Sequence, residues 1–164
     1  MATLENPFEK ARLKMVAARI ELMSQLAKFS HNELAHVASS DEWSALEIAH
    51  HVYVADGLAL EQMRKVQDEE NPLIVALEEE APRQTRASEP AASLEAVLAG
   101  MAARREELFE YLNSLAPEAW EKPLRHPSWG SLKFYQLVNI LPQHDAGHAH
   151  QLAELKAAMA PAQP

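Results

Sequence analysis

Two histidines, His144 and His148, lie four residues apart near the end of the chain on a stripe that is otherwise mostly apolar. In a helix over Leu132–Lys156, steps of four and three share one face, which predicts that both imidazoles point into a helical bundle. A buried ring nitrogen without a partner costs about 1–3 kcal/mol, and one divalent cation would satisfy both rings. The alternative is that they lie at the edge of the stripe and meet water or a backbone carbonyl. The stripe consists of Leu137, Leu141, His144, His148, Gln151 and Leu155.

A third histidine, His51, lies on the apolar face of another predicted helix. That helix begins at Trp43–Ser44, where Ser44 and Glu47 have the spacing of a capping box. His51 falls on the core stripe, whereas His50 is rotated by about 100° from it. His51 is therefore the candidate third ligand. Three neutral imidazoles leave an open coordination position, as in catalytic sites, and all-nitrogen ligation is compatible with Zn²⁺ or Ni²⁺.

Side chains near these histidines are candidates for orienting the imidazole rings, as groups around a metal's ligands usually do. Glu47 has the alternative role in the capping box, which we favour over a role in the chemistry. Two aspartates, Asp56 and Asp145, have the alternative of being solvated. His150 is rotated off the stripe and is either a surface residue or an alternative ligand. The orienting candidates are Glu47, Asp56, Asp145 and Gln151.

Four predicted helices carry these residues and indicate an all-α fold. Glycine occurs only four times, while alanine, leucine and glutamate recur, which favours helices over a sheet. Pro142 predicts either a kink just before His144 or a restart of the last helix. Arg19, Arg104 and Arg105 are expected to face water. The helices are predicted from Pro7, after Asn6 as N-cap, to about Phe29, from Ser44 to about Val66, over Ala91–Leu115, and over Leu132–Lys156.

The connections between these helices differ in length. Gln67–Pro90 is long enough to cross the bundle, so that the helices on either side of it could run parallel, and Leu73–Glu80 could form a short helix within it. The connection Ala116–Ser131 is predicted as a loop with a turn at Pro127–Gly130. Within it, His126 is expected to be exposed rather than ligating. We expect His31 and His36 to be solvated.

Composition excludes several classes of function. The chain has 164 residues, 48% of them hydrophobic, which suits one domain over residues 1–164 with a real core. It has no cysteine, so any thiol chemistry needs an external thiol. The net charge is −9 and there is no basic patch, which argues against nucleic-acid binding. With no signal-peptide pattern or membrane-length apolar run, we expect a cytoplasmic protein.

Two blocks of sequence resemble the DinB-like superfamily, which includes the YfiT-type metal-dependent hydrolases. The first is Trp43–Val52, followed by an acidic residue at Asp56. The second is Trp129–Leu132 leading to His144–His148 and then Gln151–Leu152. The resemblance implies a four-helix bundle, often of up-down-down-up order, frequent dimerisation, and a divalent metal held by His51, His144 and His148. Pro142, His50 and His150 depart from the family's pattern.

The resemblance also implies candidate functions. Some relatives are S-transferases or isomerases that use a low-molecular-weight thiol such as bacillithiol or mycothiol. The leading hypothesis is therefore a metal-dependent thiol S-transferase acting on small electrophiles, because a divalent ion can lower the pKa of a thiol. The enzymatic alternative is a hydrolase that uses water. The non-catalytic alternative is a metal- or ligand-binding stress protein whose site is structural.

Overall fold

A computed structural model describes residues 6–37, 39, 42–91 and 93–159 of the chain. Both ends of the predicted 1–164 domain, and residue 92 at the expected start of the third helix, lie outside the described residues. None of the helices in this described part combines the length and the apolar composition that a bilayer span needs. The helices are α1 (Pro7–Leu26), α2 (Ala45–Asp68), α3 (Leu77–Ala87), α4 (Leu94–Asn113), α5 (Phe134–Val138) and α6 (Ile140–Ala158).

Two apolar clusters divide the bundle along its length and show the direction of each long helix. One cluster joins the beginnings of α1 and α6 to the ends of α2 and α4, through residues such as Met15, Met63, Leu112 and Leu141. The other cluster joins the ends of α1 and α6 to the beginnings of α2 and α4. Helices α1 and α6 therefore run one way and α2 and α4 the other. This is the expected four-helix bundle in up-down-down-up order.

The start of α2 is held by the predicted capping box. The Ser44 hydroxyl oxygen accepts from the backbone N–H of Glu47 at 3.1 Å, and the Glu47 carboxylate accepts from the backbone N–H of Ser44 at 2.9 Å. Two donors that have no partner within the helix are thus satisfied. The cap fixes where α2 begins and places His51 in its second turn.

Because α2 and α4 run parallel, the chain crosses the bundle between them, and α3 lies in this crossover. The prediction of a short helix over Leu73–Glu80 is wrong in position. The backbone of Pro72 and Ile74 is instead paired with Arg125, at 2.8 Å and 3.0 Å, which keeps this segment extended. The helix begins only at Leu77 and buries Leu77, Ala81 and Thr85.

The predicted last helix is two helices, α5 and α6, which meet at Asn139. Pro142 is the third residue of α6. The first four N–H groups of a helix have no partner within it, so a proline there removes no helical hydrogen bond. Had the helix run through from Phe134, the carbonyl of Val138 would have lost its donor. The restart alternative for Pro142 is thus the one observed.

The expected loop at Ala116–Ser131 contains regular structure that the sequence analysis missed. A 3₁₀ helix, Pro117–Glu121, precedes a hairpin of β1 (Pro123–His126) and β2 (Gly130–Lys133), which pair antiparallel around the expected turn. The prediction that His126 is exposed is wrong, because the residue is buried. Its Nδ1 accepts from the backbone N–H groups of Ser128 and Trp129, at 3.0 Å and 3.2 Å, and its ring stacks on Trp129 with 4.1 Å between centroids.

Candidate metal centre

The structure brings His51 of α2 together with His144 and His148 of α6. The Nε2 atom of His144 lies 3.2 Å from Nε2 of His51 and 3.1 Å from Nε2 of His148. One nitrogen from each ring lies within 4.8 Å of the other two. Two ligands of a tetrahedral zinc ion at 2.0–2.1 Å are about 3.3–3.4 Å apart. The two distances from His144 are therefore close to the separation of two ligands of one metal ion.

The tautomer of His51 follows from its contact with α3. Nδ1 of His51 lies 3.1 Å from the hydroxyl oxygen of Thr85, and that hydroxyl lies 2.7 Å from the backbone carbonyl of Ala81. A hydroxyl has one proton, and the carbonyl can only accept, so Thr85 donates to Ala81. Thr85 must then accept from Nδ1–H of His51. The Nε2 atom of His51 consequently carries a lone pair, which faces the other two histidines.

The tautomer of His148 follows from Gln151. Nδ1 of His148 lies 2.7 Å from Oε1 of Gln151, and an amide oxygen only accepts. Nδ1 of His148 is therefore the protonated nitrogen, and its Nε2 also carries a lone pair. Of the four orienting candidates from the sequence, Gln151 is the one that contacts a ring of the triad. The partner of His51, Thr85, was missed because it comes from the crossover helix.

With these tautomers, the three histidines can be compared with the requirements of a bound cation. Two lone pairs, on His51 and His148, face one nitrogen of His144. A neutral His144 has at most one proton on Nε2 and so satisfies at most one of them. A divalent cation accepts a lone pair from each of the three nitrogens. The three histidines therefore fit a divalent metal better than they fit each other.

The protonation of the triad agrees with this arrangement. Burial, with the other histidines, lowers the pKa of His51 to about 3, and burial followed by the field of His148 lowers the pKa of His144 to about 4. Burial also lowers the pKa of His148, although Gln151 and Asp145 oppose the shift. Burial disfavours the charged imidazolium. All three rings are thus neutral near pH 7, the form in which imidazole binds metals.

The two aspartates suggested as orienting groups form buried ion pairs instead. Asp56 and Asp145 are almost fully buried, so the alternative that they are solvated is wrong. Each is bound by Arg19, whose Nη2 lies 2.9 Å from Asp56 and whose Nε lies 2.9 Å from Asp145. Nη2 of Arg105 lies 3.2 Å from Asp56 and 3.4 Å from Asp145. We call Arg19, Asp56, Arg105 and Asp145 the ionic quartet.

The ionic quartet takes one residue from each of the four long helices, and its formal charges cancel. It sits beside the triad, since Asp56 acts on the pKa of His144 and Asp145 on that of His148. Nε and Nη1 of Arg105 are buried with no hydrogen-bond partner among the described residues, although the guanidinium carbon lies 5.8 Å from the ring centroid of Phe109. The expectation that Arg19 and Arg105 face water is wrong.

A signal for the ionic quartet was present in the sequence. Arg19 lies four residues after Met15 and three before Leu22, and both of those residues are buried. Arg105 lies four after Met101 and three before Leu108, which are also buried. Both arginines thus occupy core positions by helical spacing. When residues of opposite charge lie on apolar stripes, they indicate a buried network of ion pairs.

The remaining histidines and Glu47 lie outside the triad. His50 donates from Nε2 to the hydroxyl of Ser88 at 2.8 Å, since Ser88 donates its own proton to the carbonyl of Thr85. His150 is 78% exposed at its side chain and lies 2.7 Å from Glu154. Glu47 is exposed and serves the capping box. His31 and His36 are exposed, as expected.

A cleft of about 790 Å³ opens next to the triad. Trp43 lines it, and the Trp43 ring lies 4.6 Å from the ring of His51 between centroids. Gln151, the partner of His148, lines it as well, together with Arg86 of α3 and Glu154 of α6. A small molecule in this cleft would thus contact Trp43 and Gln151, the neighbours of His51 and His148. The structure thus has three histidines that could hold a metal ion and a cleft one side chain away from them.

Comparison with known proteins agrees with this picture. The sequence profile of the DinB superfamily matches residues 14–152. The uncharacterized protein YuaE of Bacillus subtilis strain 168 is 28% identical over 150 residues, covering 85% of this chain and 93% of YuaE.

Two solved structures share the fold. YfiT from Bacillus subtilis, described as a probable metal-dependent hydrolase with an unusual four-helix bundle topology, superposes with a TM-score of 0.75 at 15% identity, over 99% of this chain and 93% of YfiT. The four-helix bundle protein TT2238 superposes with a TM-score of 0.61 at 23% identity, over 94% of this chain and 99% of TT2238.

Proposed function

This chain belongs to the DinB superfamily, and we propose that it is a metal-dependent enzyme whose divalent cation is held by His51, His144 and His148. One observation carries the proposal. Nε2 atoms of three neutral imidazoles converge, while Thr85 and Gln151 accept the Nδ1 protons of two of them. Zn²⁺ and Ni²⁺ both suit three nitrogen ligands. A cation there would supply Lewis acidity, which lowers the pKa of a coordinating thiol or water.

The chain's own residues prepare the site in three ways. Thr85 and Gln151 fix the tautomers of His51 and His148. The Trp43 ring packs against that of His51, with 4.6 Å between centroids. The ionic quartet ties α1, α2, α4 and α6 together at the level of the triad, which holds the histidines of α2 and α6 at a constant separation. The cleft beside Trp43 then admits the substrate.

For the reaction, we favour transfer of an external low-molecular-weight thiol to a small electrophile. A thiol has a pKa of about 8.5, against about 15.7 for water, so it needs less help to become a nucleophile. Asp56 and Asp145, the two buried aspartates beside the triad, are held by Arg19 and Arg105. Neither is free to accept a proton from water. Such thiols are kept reduced in the cytosol, where we place the protein.

Hydrolysis is the second candidate. It is supported by the likeness of the fold to YfiT, which is described as a probable metal-dependent hydrolase. The two candidates differ in their nucleophile, so the dependence of turnover on added thiol separates them.

The test loads the purified protein with Zn²⁺ or Ni²⁺ and follows two reactions. One is conjugation of a thiol to a fluorogenic haloalkyl electrophile, and the other is hydrolysis of an activated ester. We expect conjugation that needs both thiol and metal and is lost in His144→Ala. Ester hydrolysis that needs metal but not thiol would support the hydrolase instead. Metal binding that raises the melting temperature, without turnover of either substrate, would contradict both enzymes and leave the non-catalytic metal-binding protein.

We also propose that the protein forms a homodimer through α1. Leu13 and Ile20, seven residues apart on one face of α1, are 64% and 62% exposed. Residues seven apart lie on the same side of a helix, so the two side chains form one apolar surface. We expect light scattering to give twice the chain mass for the wild type and the chain mass for Ile20→Lys. A monomeric wild type would contradict this proposal.

A further inference from the structure

The cleft beside the triad is lined by one arginine, Arg86, that the metal chemistry does not use. Arg86 lies in the last turn of α3, and its guanidinium carbon lies 5.7 Å from the ring centroid of Trp43. The Trp43 ring in turn lies 4.6 Å from that of His51. Arg86 and His51 thus both lie within 6 Å of the centre of the Trp43 ring. The field of Arg86 reaches His51, where it contributes to lowering the pKa of that residue.

The charged groups around Arg86 leave its guanidinium available. In the described part of the chain, the guanidinium of Arg86 makes a cation–π contact with the Trp43 ring and no ion pair with a carboxylate. Glu154 lines the same cleft but lies 2.7 Å from Nε2 of His150. Glu42 also lines the cleft, from the segment before α2. Arg86 is therefore the cation of this cleft that has no carboxylate partner in the described residues.

A basic residue in the last turn of a helix also stabilises the helix through its dipole. That effect accounts for a cation somewhere near the end of α3. It does not account for the position of the guanidinium over Trp43, in the cleft that leads to the triad. Arg83, one turn earlier, provides the comparison. Its side chain is 75% exposed and pairs with Glu80, and it does not line the cleft.

We propose that Arg86 binds a carboxylate of the small molecule that occupies this cleft, while Trp43 packs against the apolar part of that molecule. A guanidinium presents several N–H donors in a plane and pairs with both oxygens of a carboxylate. With the thiol chemistry of the proposed function, on which this specificity rests, the preferred thiol carries a carboxylate a few bonds from its sulfur. Neutral thiols of the same length then bind more weakly.

A matched pair of thiols tests this specificity. The protein is loaded with Co²⁺, whose sulfur-to-metal absorption band reports thiol binding directly, and is titrated with 3-mercaptopropionate and with 3-mercaptopropanol. A charged hydrogen-bonded pair corresponds to a preference of roughly tenfold or more for the acid. We expect Arg86→Gln to bring the two affinities close together by weakening the acid alone. Arg83→Gln should keep the preference. Equal affinities in the wild type, or a preference that survives Arg86→Gln, would overturn the proposal.

A second titration separates this inference from the thiol chemistry. Glutarate, which has no thiol, is titrated calorimetrically into the metal-loaded wild type, Arg86→Gln and Arg83→Gln. Binding that is lost only in Arg86→Gln supports the carboxylate site, even if neither thiol gives an absorption band. The missing band would contradict the thiol mechanism but not the carboxylate site. Equal binding by the wild type and Arg86→Gln, or none by the wild type, would overturn the carboxylate site. Unchanged circular dichroism shows that both variants fold.

Discussion

The hydroxyl of Thr85 accepts the Nδ1 proton of His51 at 3.1 Å and donates its own proton to the carbonyl of Ala81 at 2.7 Å. Thr85 lies on α3, in the crossover that the parallel arrangement of α2 and α4 requires. The crossover therefore has two roles, since it joins two helices and it also fixes the tautomer of a metal ligand. Removal of this contact should affect metal binding more than folding.

Thr85→Val keeps the shape of the side chain and removes the acceptor for His51. We expect the affinity for Zn²⁺ to fall by about 10–100-fold, as is typical when a group that orients a metal ligand is lost. Competition with a chromophoric chelator measures the affinity. Thr85→Ser, which keeps the hydroxyl, is the matched control and should bind almost as tightly as the wild type. Equal affinities of the valine and serine variants would contradict the role given to Thr85.

Asp56→Asn removes one charge from the ionic quartet with little change in volume. Loss of one partner from a buried ion pair leaves an uncompensated charge and costs about 3–5 kcal/mol, so we expect a fall of this order in the free energy of unfolding. Urea denaturation should show a lower midpoint with an unchanged slope. Glu107→Gln, which disrupts the exposed pair of Glu107 and Arg64, should leave the midpoint unchanged. Similar midpoints for both variants would show that the ionic quartet does not stabilise the bundle.

The metal-free protein should lose stability as the pH falls below about 6.5. The pKa of His51 is lowered to about 3 and that of His144 to about 4 by burial, whereas both titrate near 6.5 when unfolded. Between these values the unfolded chain binds more protons, so its population grows as the pH falls. The stability that the neutral histidines contribute is complete above about pH 6.5 and is lost progressively down to about pH 4 for His144 and about pH 3 for His51.

Urea midpoints at about pH 7.5 and about pH 5 measure this pH dependence, after treatment with a chelator. In His51→Gln, which cannot titrate, the difference between the two midpoints should be smaller. A difference as large as that of the wild type would show that His51 is already protonated at the lower pH, or that it is exposed in the folded protein.

Helical spacing predicted the three histidines that the structure brings together as candidate metal ligands. His51, His144 and His148 lie on core stripes, and a stripe shows which residues share a face whether or not the partner helix is known. The up-down-down-up order came from the family resemblance, and the long connection before α4 agreed with it. These features depend on periodicity and on long elements, which a sequence displays directly.

Features that depend on contacts between distant segments were missed. Arg19 and Arg105 occupy core positions, yet charged side chains are usually exposed, and their burial depends on Asp56 and Asp145 from other helices. Thr85 contacts His51 only because α3 begins at Leu77. That start depends in turn on the pairing of Ile74 with Arg125. The core positions of the two arginines can be read from helical spacing, but none of these pairings can be read from a single segment of sequence.

The metal content of the purified protein tests the central claim most directly. The wild type, His51→Ala and His50→Ala are each supplied with the same divalent metal, dialysed and subjected to elemental analysis. The two variants compare a proposed ligand with its neighbour outside the triad. We predict stoichiometric metal in the wild type and in His50→Ala, and its loss in His51→Ala. Equal metal in His51→Ala and the wild type, or a wild type that retains none, would contradict the assignment of this site.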